Sequence, residues 1–192
     1  DDYLTKPFNP LEVVARSKAI LRRARGGMQP PHVLENGDLR LDLDQLRAAC
    51  DAGLSMFTHV GNGCPIQMHR HDNIIQRALS LHDRLWLCFI PDGVHVPFFV
   101  LKNWLRSTGL NRVIFVTDAI SAARLGPGRY TLAGWDILIG EDLVARSPDG
   151  SHFVGSTVTV PRIKANALHD LGMTEAELAL VLDENPRKAM AA

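Results

Sequence analysis

Hydrophobic and polar positions divide the chain into two unlike pieces, with the change near residue 42. In the first piece, apolar residues recur at a loose 3.6-residue period over 10–25, which predicts a helix that a Gly-Gly pair ends. A proline pair then marks a linker, and loose alternation around Asn36-Gly37 predicts a short hairpin over 33–42. The first piece is therefore expected to hold one helix and one hairpin.

The second piece alternates helical periodicity with short apolar runs that turn residues bound. The predicted elements are a helix over 43–52, a strand over 54–60, a helix over 72–82, a strand over 85–90, a helix over 97–107 and a strand over 113–116. Strands that alternate with helices in this way predict a parallel α/β sheet. Glycine-punctuated segments over 126–150 predict inserted β-hairpins. Three further helices are predicted to begin at Pro161, at a capping box of Thr174 and Glu177, and at Asn185.

Composition narrows the class of protein without indicating an activity. Of 192 residues, 46% are hydrophobic and 22% are charged, which is typical of a folded globular protein and excludes a disordered one. Lys plus Arg and Asp plus Glu both number 21, so no net charge attracts nucleic acid or an anionic membrane, and neither is an expected partner. No apolar run approaches ~18 residues and no signal peptide is visible, which predicts a cytoplasmic protein. Cys50, Cys64 and Cys88 match no metal-binding spacing and fit a reduced chain.

Polar residues that can carry chemistry follow the ends of the three predicted strands. His59 follows the first strand, Asp92-Gly93-Val94-His95 follows the second, and Asp118 follows the third. Because parallel strands bring their carboxyl ends to one rim, these residues are expected to be neighbours, which favours a catalytic or metal site. Taken singly, each has a plain alternative. Taken by itself, His59 is better explained as a hydrogen-bonded core or loop histidine, and each aspartate can equally cap the helix that follows it.

The segment His69-Arg70-His71-Asp72 is a second candidate. Its histidines and aspartate are metal-ligand types, and the Arg70 guanidinium can hold an anion through two parallel hydrogen bonds. The same residues are also typical of an exposed helix start with Asp72 as the N-cap. Spacing alone leaves both interpretations open.

Four motifs in the second piece occur in a fixed order over about 145 residues. They are Thr58-His59-Val60-Gly61-Asn62-Gly63, Asp92-Gly93-Val94-His95-Val96, Val116-Thr117-Asp118-Ala119 and Gly155-Ser156-Thr157-Val158-Thr159. In order and spacing they resemble the N-acetylglucosamine-6-phosphate deacetylases of the amidohydrolase superfamily. The resemblance implies an α/β fold with part of a (β/α)₈ barrel, namely its last three βα units.

The resemblance also implies an activity and a set of roles. The implied reaction is hydrolysis of the acetamide of an amino-sugar phosphate, in amino-sugar catabolism. His59 would ligate a divalent metal, Zn or Fe, and Asp118 would act as general base and then as general acid. The implied substrate-binding positions are Asn62, Gly63, Arg70 and His95, with Arg70 reaching the phosphate from a partner subunit.

Departures from the family predict an incomplete, truncated enzyme. The family's second metal-binding histidine falls where this sequence has Asp38, and its glutamate ligand belongs to an earlier part of the barrel. The metal ligand set is therefore expected to be incomplete. Three parallel strands leave open edges, so self-association or a homo-oligomer is expected.

The first piece resembles the end of a response-regulator receiver domain. Thr5-Lys6-Pro7-Phe8 is similar to the last-strand motif of receivers, and 10–25 is similar to their final helix. The predicted domains are a receiver fragment over 1–28, a linker and hairpin over 29–42, and a deacetylase-like part over 43–192. The alternative function is therefore that of a two-component regulator with a DNA-binding output.

Overall fold

The computed structural model describes residues 33–36, 39–132 and 134–191. The chain forms two compact units, Asp1–Gly53 and Leu54–Ala192. The receiver-like motif and the helix predicted over 10–25 lie outside the described residues. The domain boundaries predicted near residues 28 and 42 stay predictions.

The first unit contains a hairpin followed by a helix. Strand β1 (Val33–Asn36) pairs antiparallel with strand β2 (Leu39–Asp42), so the predicted hairpin is confirmed. Helix α1 (Leu43–Asp51) follows directly. Gly53 has a φ of 103°, which glycine adopts without strain, and it ends this helical segment as predicted.

The second unit is built on a three-stranded parallel sheet in the order β3–β4–β5. The strands are β3 (Met56–Phe57), β4 (Trp86–Phe89) and β5 (Val113–Phe115). Helix α2 (Ile74–Ser80) connects β3 to β4, and helix α3 (Phe98–Thr108) connects β4 to β5. Both strand pairs are parallel, so the predicted α/β pattern is confirmed.

Strand β4 is the centre of this sheet, and all four of its side chains are buried. Leu85, Leu87 and Phe89 have no exposed surface. A strand covered on both faces is a continuous apolar run in the sequence, which explains why this strand is predictable. Burial of each such side chain contributes about 1.5–3 kcal/mol. The segment therefore anchors the loops that follow the sheet.

The first strand of the sheet is shorter than predicted. The Trp86 amide donates to the Ser55 carbonyl at 2.7 Å, so pairing begins near the expected residue. Pairing in β3 ends at Phe57, and His59 has a φ of 34°. Extended backbone requires a negative φ, so the chain has left the strand at His59. The prediction that this strand continues to residue 60 is wrong.

A short parallel bridge extends the sheet beyond β5. Ala119 pairs with Ser156, and the Ile120 amide donates to the Ser156 carbonyl at 2.9 Å. The Ser156 amide donates to the Asp118 carbonyl at 3.0 Å. The fourth sequence motif therefore lies directly beside the third. Within the described residues the strands form an open sheet.

An antiparallel sheet is inserted in the chain between Ala119 and Ser156, the two residues of this bridge. Its strands are β6 (Gly128–Leu132), β7 (Trp135–Ile139) and β8 (Ala145–Arg146), in that order. Its buried core consists of Ala122, Ile137, Ile139 and Ala145. The hairpins predicted over 126–150 are confirmed.

Helical segments close the second unit. They are α4 (Val160–Asn166), a π-helical turn (Ala167–Leu171), α5 (Glu175–Ala179), a second π-helical turn (Leu180–Glu184) and α6 (Asn185–Met190). Thr174 and Glu177 form the predicted capping box. Among the described residues, no helix combines the length and the apolar character that a membrane span requires.

The last helix, α6, begins at Asn185 as predicted, and it follows the preceding π-helical turn without a break. Glu184 and Asn185 both have helical backbone angles, so α6 continues the preceding π-helical turn. The Asn185 side chain is fully buried. Its Nδ2 donates to the carbonyls of Leu110 and Val113 at 2.7 and 2.8 Å. Its role is therefore to fasten the last helix to β5.

Candidate active site

The carboxyl ends of the three parallel strands lead into the segments that carry the candidate residues. Phe57 lies opposite Leu87, and Phe89 lies opposite Phe115, so the strands end at one edge of the sheet. His59, the Asp92–His95 segment and Asp118 all follow within a few residues of these ends. The structure thus brings these segments to one edge, as the strand order predicted.

His59 lies in a tight turn that the local sequence forms. The Asn62 amide donates to the His59 carbonyl at 2.9 Å. A Cβ at Gly61 would lie 2.9 Å from the Trp104 ring, so only glycine fits there. His59 is half-buried, and its Nδ1 has no hydrogen-bond partner among the described residues. A buried nitrogen without a partner is costly, and such costs are characteristic of functional sites.

The same turn contains two of the predicted substrate-binding positions. The Asn62 Nδ2 is buried and, like the His59 Nδ1, has no partner in the described part of the chain. Gly63 has a φ of 67°, and a Cβ there would lie 3.2 Å from the His59 Cε1. His59, Asn62 and Gly63 therefore form one compact group with two unsatisfied nitrogens.

The His69–Asp72 segment forms an exposed helix start and makes no metal cluster. The His69 Nδ1 accepts the Asp72 amide at 3.0 Å, which occupies one of its metal-binding nitrogens. Asp72 does not cap the helix, contrary to one interpretation of the sequence, because Asn73 accepts the Gln76 amide instead. The Asp72 carboxylate binds Arg77 at 2.7 and 3.0 Å, and this pairing holds its pKa below the ordinary value.

Arg70 belongs to this exposed segment. Among the described residues, its guanidinium makes no hydrogen bond or ion pair. Its predicted role toward a phosphate therefore stays a prediction.

Asp92 and His95 form a close pair. The Asp92 Oδ2 lies 2.6 Å from the His95 Nδ1, and only 6% of the His95 side chain is exposed. The Asp92 Oδ1 accepts the amides of Val94 and His95, each at 2.9 Å. Burial raises the pKa of the Asp92 carboxyl, but the His95 ring and the two amides outweigh burial and hold that pKa below its ordinary value. The sequence showed Asp92 as a candidate but not as the partner of His95.

Asp118 lies at a strained position beside the fourth motif. Its φ is 46°, which is unusual for a residue other than glycine. Its carbonyl accepts the Ser156 amide, and Gly155 packs against it, with the position of a Cβ on Gly155 3.4 Å from that carbonyl oxygen. His59 and Asp118 thus both follow parallel strands in left-handed backbone conformations, which turns the chain sharply at the edge of the sheet.

A pocket of about 550 Å³ opens next to this edge. It is lined by residues of the Asp92 loop, the β7–β8 connection, Thr157–Thr159 and two arginines, Arg124 and Arg162. Neither arginine has an ion-pair partner among the described residues. No sequence motif pointed to either arginine, because the pocket joins segments that lie far apart in the chain.

A complete metal site is not present in the described part of the chain. No three His, Cys, Asp or Glu side chains come together there in a way that would hold a metal ion. His59 offers one suitable nitrogen, whereas a stable zinc site takes at least three protein ligands. The described residues by themselves therefore do not fit the divalent metal that the motif resemblance implies.

Two curated relatives share the sequence over most of this chain. N-acetylgalactosamine-6-phosphate deacetylase of Escherichia coli O157:H7 is 29% identical over 182 residues, which are 91% of this chain and 47% of that protein. N-acetylglucosamine-6-phosphate deacetylase of Vibrio furnissii is 28% identical over 149 residues, 78% of this chain and 36% of that protein. The chain thus spans less than half the length of these relatives. No protein-family model matches it.

Solved structures agree with the sequence relatives. N-acetylglucosamine-6-phosphate deacetylase from Thermotoga maritima superposes with a TM-score of 0.70 at 30% identity, over 78% of this chain and 40% of that one. A mutant of the Mycobacterium smegmatis deacetylase, solved in complex with N-acetyl-D-glucosamine-6-phosphate, has a TM-score of 0.68 at 29% identity with the same coverage.

The response-regulator resemblance also has a counterpart. The transcriptional regulatory protein TcrA of Mycobacterium tuberculosis is 55% identical over 86 residues, 45% of this chain and 33% of that protein. The cell cycle response regulator CtrA of Brucella ovis is 50% identical over 44 residues. By sequence and by structure, the chain therefore resembles the amino-sugar-phosphate deacetylases over part of their length, and it carries an N-terminal stretch that resembles response regulators.

Proposed function

We propose that the second unit serves the hydrolytic removal of the acetyl group from an N-acetylhexosamine 6-phosphate, either the glucosamine or the galactosamine compound. The observation that carries this proposal is the parallel register of β3, β4 and β5, whose carboxyl ends lead to His59, the Asp92–His95 pair and Asp118. The likeness to the deacetylases supports the substrate class. The unit then corresponds to part of a (β/α)₈ barrel of a cytoplasmic enzyme, with the reacting groups at its usual catalytic face.

Asp118 is the proposed proton shuttle. Amide hydrolysis needs a base that takes a proton from water and an acid that returns it to the leaving amine. A carboxylate serves both steps in turn. The left-handed turn at Asp118 and its backbone bond to Ser156 fix this residue at the edge of the sheet. General acid–base help of this kind contributes about 10²–10⁴ in rate.

His59 is the proposed ligand of a divalent metal ion, Zn or Fe. Such an ion, when bound, supplies the Lewis acidity that lowers the pKa of a bound water. The unpartnered Nδ1 is consistent with a donor, but one nitrogen does not hold an ion stably. Further donors have to come from other parts of the protein or from a second copy.

The substrate-binding positions follow the same proposal. The unsatisfied Asn62 Nδ2 is a donor suited to a sugar or phosphate oxygen, and the missing side chain of Gly63 leaves room beside His59. His95 is suited to a sugar hydroxyl. Arg70, which is exposed, is suited to a phosphate that a neighbouring subunit presents.

The test is acetate release from both 6-phosphates, by the chain alone and after co-expression with the amino-terminal part of the Thermotoga maritima deacetylase. We expect Asp118→Asn to lower turnover by about 10²-fold or more with unfolding unchanged, since the substitution keeps the size but removes the shuttle. Arg70→Ala should raise KM and change kcat little. Asp83→Asn, the same change at an exposed site, is the control. Asp118→Asn retaining more than about a third of wild-type turnover would contradict the shuttle role.

A second candidate function is that of a phosphorelay regulator with a DNA-binding output. The observation that favours it is the 55% identity with TcrA over 86 residues. Electrophoretic mobility shift with a random-sequence duplex separates the two candidates. Salt-sensitive DNA binding without acetate release would favour the regulator. Acetate release without DNA binding would favour the hydrolase.

A further inference from the structure

The two carboxylate oxygens of Asp92 have different partners. Oδ1 accepts two backbone N–H groups, from Val94 and His95, and Oδ2 faces the His95 Nδ1. Both backbone groups are donors only, so an oxygen is required at the Oδ1 position. An ionised Asp92 is an acceptor at both oxygens, and the His95 Nδ1 must then carry the hydrogen of the 2.6 Å bond.

We propose that Asp92 is a positioning residue that fixes His95 in the form with its proton on Nδ1, so that Nε2 presents a lone pair to the ligand. The use of this lone pair on a substrate rests on the proposed function, but the tautomer itself does not. An isolated neutral imidazole has no such partner to hold either tautomer. The chemical class that Nε2 then selects is a neutral hydrogen-bond donor, a sugar hydroxyl or an ordered water.

The surroundings of the pair keep the ring from turning away. The His95 ring packs against the Phe153 ring, with 5.0 Å between centroids. Gly93 has a φ of 79°, and a Cβ there would lie 2.6 Å from the Phe98 ring, which keeps the loop between the partners tight. Among the described residues, Nε2 has no hydrogen-bond partner, so it remains available to a ligand.

The substitution Asp92→Asn is expected to reverse the tautomer of His95, and not only to remove the hydrogen bond of the carboxylate. The asparagine Oδ1 is required by the two backbone N–H groups, so its NH₂ group has to face the His95 Nδ1. An amide NH₂ only donates, and Nδ1 must therefore accept and lose its proton. The proton moves to Nε2, which changes from acceptor to donor. Turning the amide around would forfeit two hydrogen bonds to keep one.

The experiment is ¹⁵N NMR of the histidine side chains in the full chain at about pH 9, well above the ~6.5 at which a free imidazole titrates. His95→Gln identifies the signals among the eight histidines. In the wild-type chain we expect protonated Nδ1 and unprotonated Nε2. In Asp92→Asn we expect the opposite, and in the control Asp83→Asn no change. A variant that loses its near-ultraviolet circular dichroism is unfolded and is excluded from the comparison. The ¹⁵N spectrum of the wild-type chain then tests the proposal by the position of the His95 proton.

Two results would overturn the proposal: a wild-type His95 with its proton on Nε2, or a folded Asp92→Asn chain in which Nδ1 keeps its proton. Neither measurement depends on catalysis. Absence of acetate release even after co-expression with the amino-terminal part of the Thermotoga maritima deacetylase, together with the expected tautomers, would refute the proposed function and leave the positioning role intact. Acetate release by a protein whose His95 carries its proton on Nε2 would support the proposed function and refute the positioning role.

Discussion

Gly155 provides a sharp test of how the candidate site is held together. This glycine has a φ of 67°, and a Cβ added there would lie 2.5 Å from the Ile120 Cγ2 and 3.4 Å from the Asp118 carbonyl. The first contact is far shorter than any Cβ tolerates, and Ile120 is β-branched, so its Cγ2 cannot simply rotate away. Gly155→Ala should therefore push the bridge segment away from the Asp118 loop.

The magnitude has two parts, and the chain offers a control that separates them. A left-handed backbone costs a residue with a Cβ about 1–2 kcal/mol, which the lower entropy of the unfolded Ala chain partly offsets. Overpacking at Ile120 adds about 1–3 kcal/mol. Gly150 has nearly the same φ, 71°, and nothing within 4 Å of its added Cβ. Gly150→Ala should therefore show the first cost alone.

Urea unfolding followed by tryptophan fluorescence is the appropriate assay, because all three tryptophans lie in the second unit. We expect Gly155→Ala to lower the free energy of unfolding by about 2 kcal/mol more than Gly150→Ala. For a chain of this length, that difference corresponds to a further fall in Tm of roughly 4–8 °C. Equal losses in the two variants would refute the argument that the fourth motif packs tightly against the third.

Three further predictions concern the second unit. Burial raises the pKa of the Cys88 thiol to about 11, whereas Cys64 is only half-buried. At about pH 8 a thiol reagent should therefore label Cys64 first and Cys88 only on unfolding. Equal labelling rates for the two thiols would contradict this. The pKa of the Asp92 carboxyl is below its ordinary value, so its stabilisation is present above the unfolded pKa of ~3.9 and is lost as pH falls through the folded value. Asp92→Asn should therefore lose less unfolding free energy between about pH 5 and 3 than wild type, and parallel curves would exclude this role. We expect sedimentation at micromolar concentration to detect self-association, because Met56 on the edge strand and Trp135 are exposed; a single monomeric species would argue against it.

Local signals determined much of the fold without any knowledge of tertiary contacts. The apolar run of β4 is buried on both faces, so its length and composition alone identified it. The Thr174–Glu177 capping box depends only on two residues three apart in the sequence. The hairpin of β1 and β2 was predicted from the Asn36-Gly37 pair and the loose alternation around it. In the capping box and the hairpin the partners are neighbours in sequence, so the pattern contains the whole interaction.

The order of the strands likewise predicted that the segments of His59, His95 and Asp118 would lie at one edge, because parallel strands end on the same side. The sequence pattern predicted Asp72 as the helix cap, and the structure uses Asn73 instead. Asp72 and Asn73 are both good caps, and the choice of Asn73 goes with the pairing of Asp72 to Arg77. Such a choice depends on where a long side chain reaches.

Tertiary structure alone decided the details on which chemistry depends. The Asn185 amide binds the Val113 carbonyl 72 residues away, and the Ser156 amide binds the Asp118 carbonyl across the inserted β6–β8 sheet. The left-handed turns at His59 and Asp118 occur at residues other than glycine, so the sequence contains no signal for them. Residues other than glycine adopt a positive φ at a cost in energy, and they do so only where the packing around them fixes the backbone. That packing joins distant segments, so periodicity and motif spacing predict which residues gather at the edge, and only the folded chain decides how each side chain is held there.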